Sequence, residues 1–268
     1  MKAWKPLSLL VFAICLNLLP SPPLQAAPSG LEIMRAVDGR EDGDDLRQAM
    51  TQTLIDRNGN RRVRHMISFR KDYGKDKRLI SFFTEPANIR DTALLTFDYD
   101  DPDRDDDQWL YLPALKKVRR ISAADRGDYF MGTDFTFEDM KQTPELGDYH
   151  WKLLGSEIID GQECWKVEGV PVSQDVVREL GYSRMIQHVR KDNDFTIRVD
   201  YWDRAGRELK HLRVLELRRI QGIWSAVRIE MENVQTKHRT LIELADQHYN
   251  TGLKDSLFTK RALKRGYR

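Results

Sequence analysis

The sequence predicts a mainly β protein built on one large, curved antiparallel sheet with a few short helices. Apolar and polar residues alternate with a period of two in many short segments, such as 197–201 and 227–231. This alternation is typical of strands with one buried face and one solvent-facing face. Pairs of turn-forming residues ending in glycine separate the segments at short intervals, which favours hairpins over parallel crossovers.

About ten strands are expected, because one or two of the candidate segments can fail. The candidates lie near 48–56, 61–70, 78–84, 92–98, 108–113, 116–122, 149–158, 162–170, 195–202, 207–220, 223–234 and 238–249. The hairpin turns are predicted at Asn58-Gly59, Asp160-Gly161, Ala205-Gly206 and Gln221-Gly222. A sheet of this many strands must curl or close, and its inner face then surrounds packed side chains or a ligand.

Two segments have helical features. Ser29 is a candidate N-cap for a short helix that carries Leu31, Met34 and Val37 on one side. Residues 123–146 break the alternation, and Thr136 with an acidic residue three positions later resembles a capped helix start. The second segment is therefore a candidate movable lid over the sheet, or a permanent cap.

The N-terminus has the features of a secretory signal peptide over residues 1–26. Lys2 and Lys5 precede an apolar run of about 13 residues, which is shorter than the roughly 20 that a spanning helix needs. Small residues at Ala26 and Ala27 follow as a cleavage site. An uncleaved anchor and a lipid on Cys15 are the alternatives. We expect a soluble mature chain, residues 27–268, folded as a single domain in the periplasm.

Charge and cysteine content exclude several classes of function. Lys2 and Lys5 are the charged residues of the signal peptide, so cleavage takes the net charge from +2 to 0. Overall charge thus gives no reason to propose a nucleic-acid partner. Cys164 is the one cysteine left after cleavage, so no internal disulfide is expected, and no activating neighbour makes it a reactive thiol.

No sequence motif indicates catalysis, a metal or a cofactor. Nucleophile elbows, phosphate-binding loops and zinc-ligand spacings are absent from the sequence. Seven aspartates crowd the stretch from Asp98 to Asp107, but the glycine and glutamate of a calcium-binding EF-hand are missing there. A solvated hairpin loop is the simpler interpretation of that stretch. We therefore expect no catalytic residue, no metal site and no cofactor.

Several motifs resemble the LolA-like outer-membrane lipoprotein-sorting proteins. The main one is YFMGTDFTFED at 129–139. Others occur in the same order: FTEP at 83–86, TALLT at 92–96, WLYLPA at 109–114, KKVRRI at 116–121, VP at 170–171, HRT at 238–240 and FTKRAL at 258–263. Thr133 stands where serine is common in the family, and Asp91 where glycine is common. The resemblance covers nearly the whole mature chain.

The resemblance implies a half-barrel of about eleven antiparallel strands wrapped around a helical lid or plug, with an apolar cavity between them. It also implies a carrier of lipoprotein acyl chains or of a lipid. The alternative is a periplasmic accessory subunit that docks on an inner-membrane exporter of the RND or MMPL type and holds no cargo. Basic residues at 116–120 and near the C-terminus suit transient contact with a membrane surface or with such an exporter.

Aromatic side chains suit the lining of a lipid-binding cavity, because rings supply large apolar area with few rotatable bonds. Ordinary core packing is the competing interpretation for each of them. Phe130, Phe135 and Phe137 are the better candidates, because they lie in the segment that departs from the sheet. The complete candidate set is Phe82, Phe97, Trp109, Tyr111, Phe130, Met131, Phe135, Phe137, Trp165 and Tyr201.

Overall fold

The computed structural model describes residues 27–101, 104–141 and 144–267. Within them lie the helices α1 (Gly30–Asp38), α2 (Gln174–Leu180) and α3 (Lys260–Arg265). The strands are β1 (Asp45–Ile55), β2 (Arg61–Tyr73), β3 (Asp76–Glu85), β4 (Ala93–Asp98), β5 (Asp107–Leu112), β6 (Lys117–Ile121), β7 (Tyr149–Ile159), β8 (Gln162–Pro171), β9 (Tyr182–Arg190), β10 (Thr196–Asp203), β11 (Glu208–Ile220), β12 (Ile223–Asn233) and β13 (His238–Tyr249). The predicted signal peptide lies outside the described residues.

All thirteen strands form one curved antiparallel sheet that does not close. Their order is β6-β5-β4-β3-β2-β1-β13-β12-β11-β10-β9-β8-β7. Most neighbours are consecutive hairpin strands, and β1 pairs with β13 to join the two halves. The free edges are β6 and β7, and the segment 122–148 connects them. The predicted fold class is confirmed, with thirteen strands in place of about eleven.

The sequence missed strand β9 and helix α2. Residues 185–189 of β9 are all buried, and Gln187 and His188 are among them. Because polar side chains are buried on both faces of this strand, it lacks the apolar–polar alternation by which the others were recognised. Each of the twelve predicted segments overlaps one strand, and several extend one residue beyond its ends.

The predicted hairpin turns are confirmed. The φ angles of Asp160 and Gly161 are both positive, at 49° and 77°. Those of Gln221 and Gly222 are also positive, at 50° and 87°. This pair of left-handed residues is the requirement of a tight two-residue hairpin. Asp91 also has a positive φ of 64°, a conformation that glycine adopts most easily.

Helix α1 begins at a capping box, as Ser29 predicted. The Ser29 hydroxyl accepts a hydrogen bond from the Glu32 amide at 3.2 Å, and the Glu32 carboxylate accepts one from the Ser29 amide at 2.7 Å. Ile33, Met34 and Val37 are the buried apolar residues of the helix. They pack against Val167 of β8 and Val189 of β9, with side chains of β7 beside them, so α1 covers the sheet near its β7 edge.

The two faces of the sheet are covered by different segments. We call the face that contacts residues 122–148 the inner face. On the outer face, Phe258, Ala262 and Leu263 from the C-terminal segment pack over β2–β5. Within the described part of the chain, no helix is long and apolar enough to cross a membrane.

Candidate functional site

The described residues of the segment 122–148, which are all but 142 and 143, pack as a plug against the inner face of the sheet, and we refer to them as the plug. Phe130 and Phe137 pack with Phe83 and neighbouring apolar residues of β2, β4 and β5. Phe135 packs with a second cluster that includes Tyr201. All three phenylalanines are buried. In this structure the segment fills one half of the curved sheet instead of lying over it as a loose lid.

The plug contains single 3-10 turns in place of the longer helix that Thr136 suggested. The capping interaction itself is present, since the Thr136 hydroxyl accepts from the Asp139 amide at 3.1 Å. The Asp139 carboxylate accepts in return from the Thr136 amide at 2.7 Å. The helical turn that follows ends after Glu138–Met140.

A buried ion pair ties the plug to strand β11. The Lys210 ammonium is fully buried and lies 2.5 Å from the Asp139 carboxylate and 2.9 Å from the Asp134 carbonyl oxygen. The Tyr182 hydroxyl also donates to Asp139, at 3.0 Å. Burial lowers the pKa of Lys210, although Asp139 opposes this effect. The ion pair is thus dry and has additional hydrogen-bond partners.

A second contact fixes the middle of the plug to β13. The Asp134 carboxylate accepts from the Thr240 hydroxyl at 2.7 Å and lies 2.7 Å from His238 Nδ1. Thr240 and His238 belong to the HRT motif, and Asp134 belongs to YFMGTDFTFED. Two of the motifs that carry the family resemblance therefore meet in space.

A charged cluster holds the C-terminal part of the plug. The buried Lys141 ammonium lies 2.5 Å from Asp106, 3.2 Å from Glu138 and 3.5 Å from Asp98. Burial alone would raise the pKa of Glu138, but Lys141 and Arg126 outweigh it and lower that pKa to about 2. Asp98 and Asp106 belong to the aspartate-rich stretch, so part of that stretch is buried beside Lys141 and is not a solvated loop, with Asp106 as the nearest counter-charge.

The Asp98 carboxyl is expected to make stability depend on pH. Burial raises its pKa from 3.8 to about 7, although Lys141 opposes this. Because the folded state keeps a proton that the unfolded chain releases at lower pH, stability falls as pH rises from about 4 to 7. Asp98→Asn is expected to reduce this fall by more than about 1 kcal/mol. Urea unfolding at several pH values measures it, with the more exposed Asp100→Asn as control. Identical slopes in the wild type and both variants would contradict the assignment.

A cavity of about 350 Å³ occupies the other half of the inner face. It lies between the plug, the end of α1 and strands β1–β3 and β9–β13. Its volume is at the lower end of the range of small-molecule sites, which is about 300–1,000 Å³.

The cavity lining changes from charged to apolar along the strands. At one end lie Arg40, Asp42, Arg70 and Lys77. A band of uncharged polar side chains follows, formed by Gln48, Ser68, Ser81, Ser225 and Gln247. The end beside the plug is mostly apolar and is lined by Met50, Phe135, Met140, Met185, Val199, Leu212, Ile229, Ile242 and Leu244, together with the ion-paired plug residues Glu138, Asp139 and Lys141. Met50, Leu212, Ile229 and Leu244 are only half-buried, so part of their apolar surface faces the cavity.

Comparison with known proteins identifies the family. A family model for an uncharacterized protein matches residues 74–265. A DUF1329 family protein from Desulfovibrio piger is 30% identical, with 87% of this chain and 97% of that chain covered and a TM-score of 0.82. The chain belongs to the DUF1329 family.

Two further solved structures are similar to this DUF1329 family member. A Vibrio parahaemolyticus domain named for outer membrane lipoprotein sorting is 30% identical, with 88% of this chain and 98% of that chain covered and a TM-score of 0.81. A LolA superfamily protein from Nitrosomonas europaea shares the fold, with 21% identity, a TM-score of 0.68 and coverage of 88% and 100%. No curated protein matches the chain. The predicted resemblance is confirmed.

The structure brings together only part of the predicted lining. Phe135 and Tyr201 line the cavity. Phe130, Phe137 and Met131 lie where the plug packs on β2–β5. The remaining candidates lie in other clusters: Phe82, Phe97, Trp109 and Tyr111 contact the C-terminal segment on the outer face, and Trp165 packs near α1.

Sequence reasoning did not single out most residues that line the cavity. Leu212, Ile229 and Leu244 are aliphatic residues in strands with apolar–polar alternation, whereas the predicted lining was mainly aromatic. These residues lie on the same face of three adjacent strands. This pattern could have indicated a shared lining, because paired strands place such residues side by side. Arg40 had no such signal, since it follows α1 and reaches the cavity only through the fold.

Proposed function

We propose that this DUF1329 protein is a periplasmic carrier that binds acyl chains of a lipoprotein or of a lipid in the inner-face cavity. The observation that supports this most is the half-buried state of Met50, Leu212, Ile229 and Leu244. In a packed core these side chains would be covered by neighbours. Here the plug covers only the adjacent part of the sheet, and their surface is left available to a ligand.

The energetic need for such a cavity follows from the hydrophobic effect. Moving one methylene of an acyl chain from a membrane into water raises its free energy by about 0.8 kcal/mol. Transfer of a sixteen-carbon chain into water is therefore unfavourable by roughly 12 kcal/mol. A soluble protein with an apolar cavity lowers this barrier to movement between membranes. The cavity supplies that apolar surface without requiring any chemical reaction.

The periplasmic location and the carrier role are supported by separate observations. The predicted signal peptide at residues 1–26 supports export. The name of the Vibrio parahaemolyticus neighbour supports a role in lipoprotein sorting. The exposed side chains of Arg119 and Arg120 lie on the edge strand β6, where they suit transient contact with an anionic membrane surface.

A docking subunit without cargo is the second candidate function. The plug fills the inner face over β2–β6 with its own side chains, as expected for a protein that holds nothing there. Such a subunit would bind an RND- or MMPL-type exporter through its outer surface. The cavity beside the plug favours the carrier over this alternative.

Native mass spectrometry of protein extracted from its own periplasm tests the proposal. A carrier is expected to retain a lipid or acylated species that is lost on delipidation. Binding of a fluorescent acyl probe to the delipidated protein is the matching measurement in solution. Protein that carries no lipid and binds no acyl probe would overturn the carrier proposal and favour the docking subunit.

A further inference from the structure

The cavity volume indicates how much of an acyl chain this conformation can enclose. A methylene group occupies about as much space as a water molecule in the liquid, or about 30 Å³. The cavity of about 350 Å³ therefore accommodates roughly a dozen methylenes. One chain of about twelve carbons fits within it, whereas the three chains of a triacylated lipoprotein anchor exceed this volume several times.

Arg40 supplies a positive charge at the polar end of the cavity. Its Nη1 donates to the carbonyl oxygens of Glu41 at 3.3 Å and Trp224 at 3.1 Å, and its guanidinium lies 4.4 Å from the centre of the Phe195 ring. All these partners are uncharged. Among the described side chains, no carboxylate lies within ion-pair distance of Arg40.

The other charges at this end already have partners. Asp42 lies 2.6 Å from Arg70 and 3.1 Å from Lys77. Arg70 also contacts Asp72 at 3.1 Å. Asp38, at the end of α1, is exposed to solvent. Arg40 is thus the cation at the cavity without a direct ion pair. Burial lowers its pKa, and the charges of Asp42 and Asp194 partly oppose this effect from beyond ion-pair distance.

A half-buried guanidinium without a direct ion pair is a suitable site for an anion. Partial burial removes water from the charge, and an anionic oxygen restores the lost interaction. Arginine also presents paired N–H donors that match carboxylate and phosphate groups. The apolar end of the same cavity lies beyond the band of uncharged polar residues, where a chain attached to that anion would extend.

We propose that the cavity binds a single-chain amphiphile whose anionic head group, a carboxylate or a phosphate, pairs with Arg40 while its chain extends toward Leu212 and Phe135. This inference rests on the carrier function proposed above and names its ligand class. The ligand has one acyl chain and an anionic oxygen head group.

Displacement of a fluorescent acyl probe by three ligands with the same twelve-carbon chain tests the proposal. The ligands are dodecanoate, dodecyl phosphate and dodecan-1-ol, measured at pH 8, where both acids are ionised. We expect at least one anion to bind the wild type about tenfold more tightly than the alcohol does. Whether dodecanoate or dodecyl phosphate binds better identifies the source of the head group.

Arg40→Gln should remove this preference and leave alcohol binding within about twofold of wild type. Arg57→Gln, an exposed arginine in the β1–β2 hairpin, is the control and should behave as wild type. An alcohol that binds as tightly as both anions, or equal weakening of all three ligands by Arg40→Gln, would overturn the head-group assignment. Two or more chains bound per protein in native mass spectra would overturn the single-chain assignment. If none of the three ligands binds, the carrier proposal itself fails.

Discussion

Leu212→Asp is expected to weaken binding of an acyl probe by at least about a hundredfold. Leu212 lines the apolar end of the cavity, so a bound chain would bury the new carboxylate without a partner. Such burial is unfavourable by several kcal/mol, and each 1.4 kcal/mol corresponds to a tenfold change in affinity. The free protein should lose less stability, because the half-buried side chain leaves the carboxylate access to water in an empty cavity.

Leu215→Asp provides the matched control on the same strand. Leu215 is 44% exposed and does not line the cavity. The same substitution there should leave probe affinity within about twofold of wild type. Fluorescence titration and thermal unfolding of the same preparations separate lost binding from lost folding. A folded Leu212→Asp protein that binds the probe like wild type would refute the cavity as the binding site.

Asp139→Asn is expected to lower the free energy of unfolding by about 3–5 kcal/mol. The substitution keeps the size of the side chain but leaves the Lys210 ammonium buried without its counter-charge. Loss of one partner of a buried ion pair typically has this effect. Because Asp139 belongs to the plug and Lys210 to β11, the plug should also detach more often. Urea unfolding and amide hydrogen exchange over residues 130–140 measure the two effects.

Two variants separate the ion pair from general effects of removing charge. Asp160→Asn changes an exposed aspartate in the β7–β8 turn and should alter stability by less than about 0.5 kcal/mol. The double variant Lys210→Met with Asp139→Leu removes both charges and should recover part of the loss. If Asp139→Asn unfolds like wild type, the plug is not held by this pair, and a movable lid becomes the better description.

The antiparallel order of the sheet could be predicted because its signals are local. Alternation within a strand and a glycine-containing turn after it are properties of neighbouring residues, so the hairpins at Asp160-Gly161 and Gln221-Gly222 followed from sequence. Strand β9 was missed because Gln187 and His188 are buried among its apolar residues. Their burial depends on the strands that pair with both sides of β9, and this pairing cannot be predicted from the local sequence.

The candidate site was less predictable, because several strands are apolar on both faces. Phe82 and Phe83 are adjacent and both buried, yet the first packs under the C-terminal segment and the second against Phe130 of the plug. Alternation assigns them to opposite faces but does not say which face is inner. That choice depends on where two distant segments pack.

The sequence by itself determined the strand-rich fold class, the hairpin positions and, through its motifs, the family. Only the tertiary structure decided that the plug fills one half of the sheet and that the cavity lies in the other half. It also decided that Arg40 lies at the polar end of the cavity beside the carbonyl of Trp224, which is 184 residues away in the chain. The physical reason is the range of the forces that decide each feature. Hydrogen-bonded turns and alternating burial act between near neighbours, whereas a cavity is the space that distant segments leave unfilled when they pack.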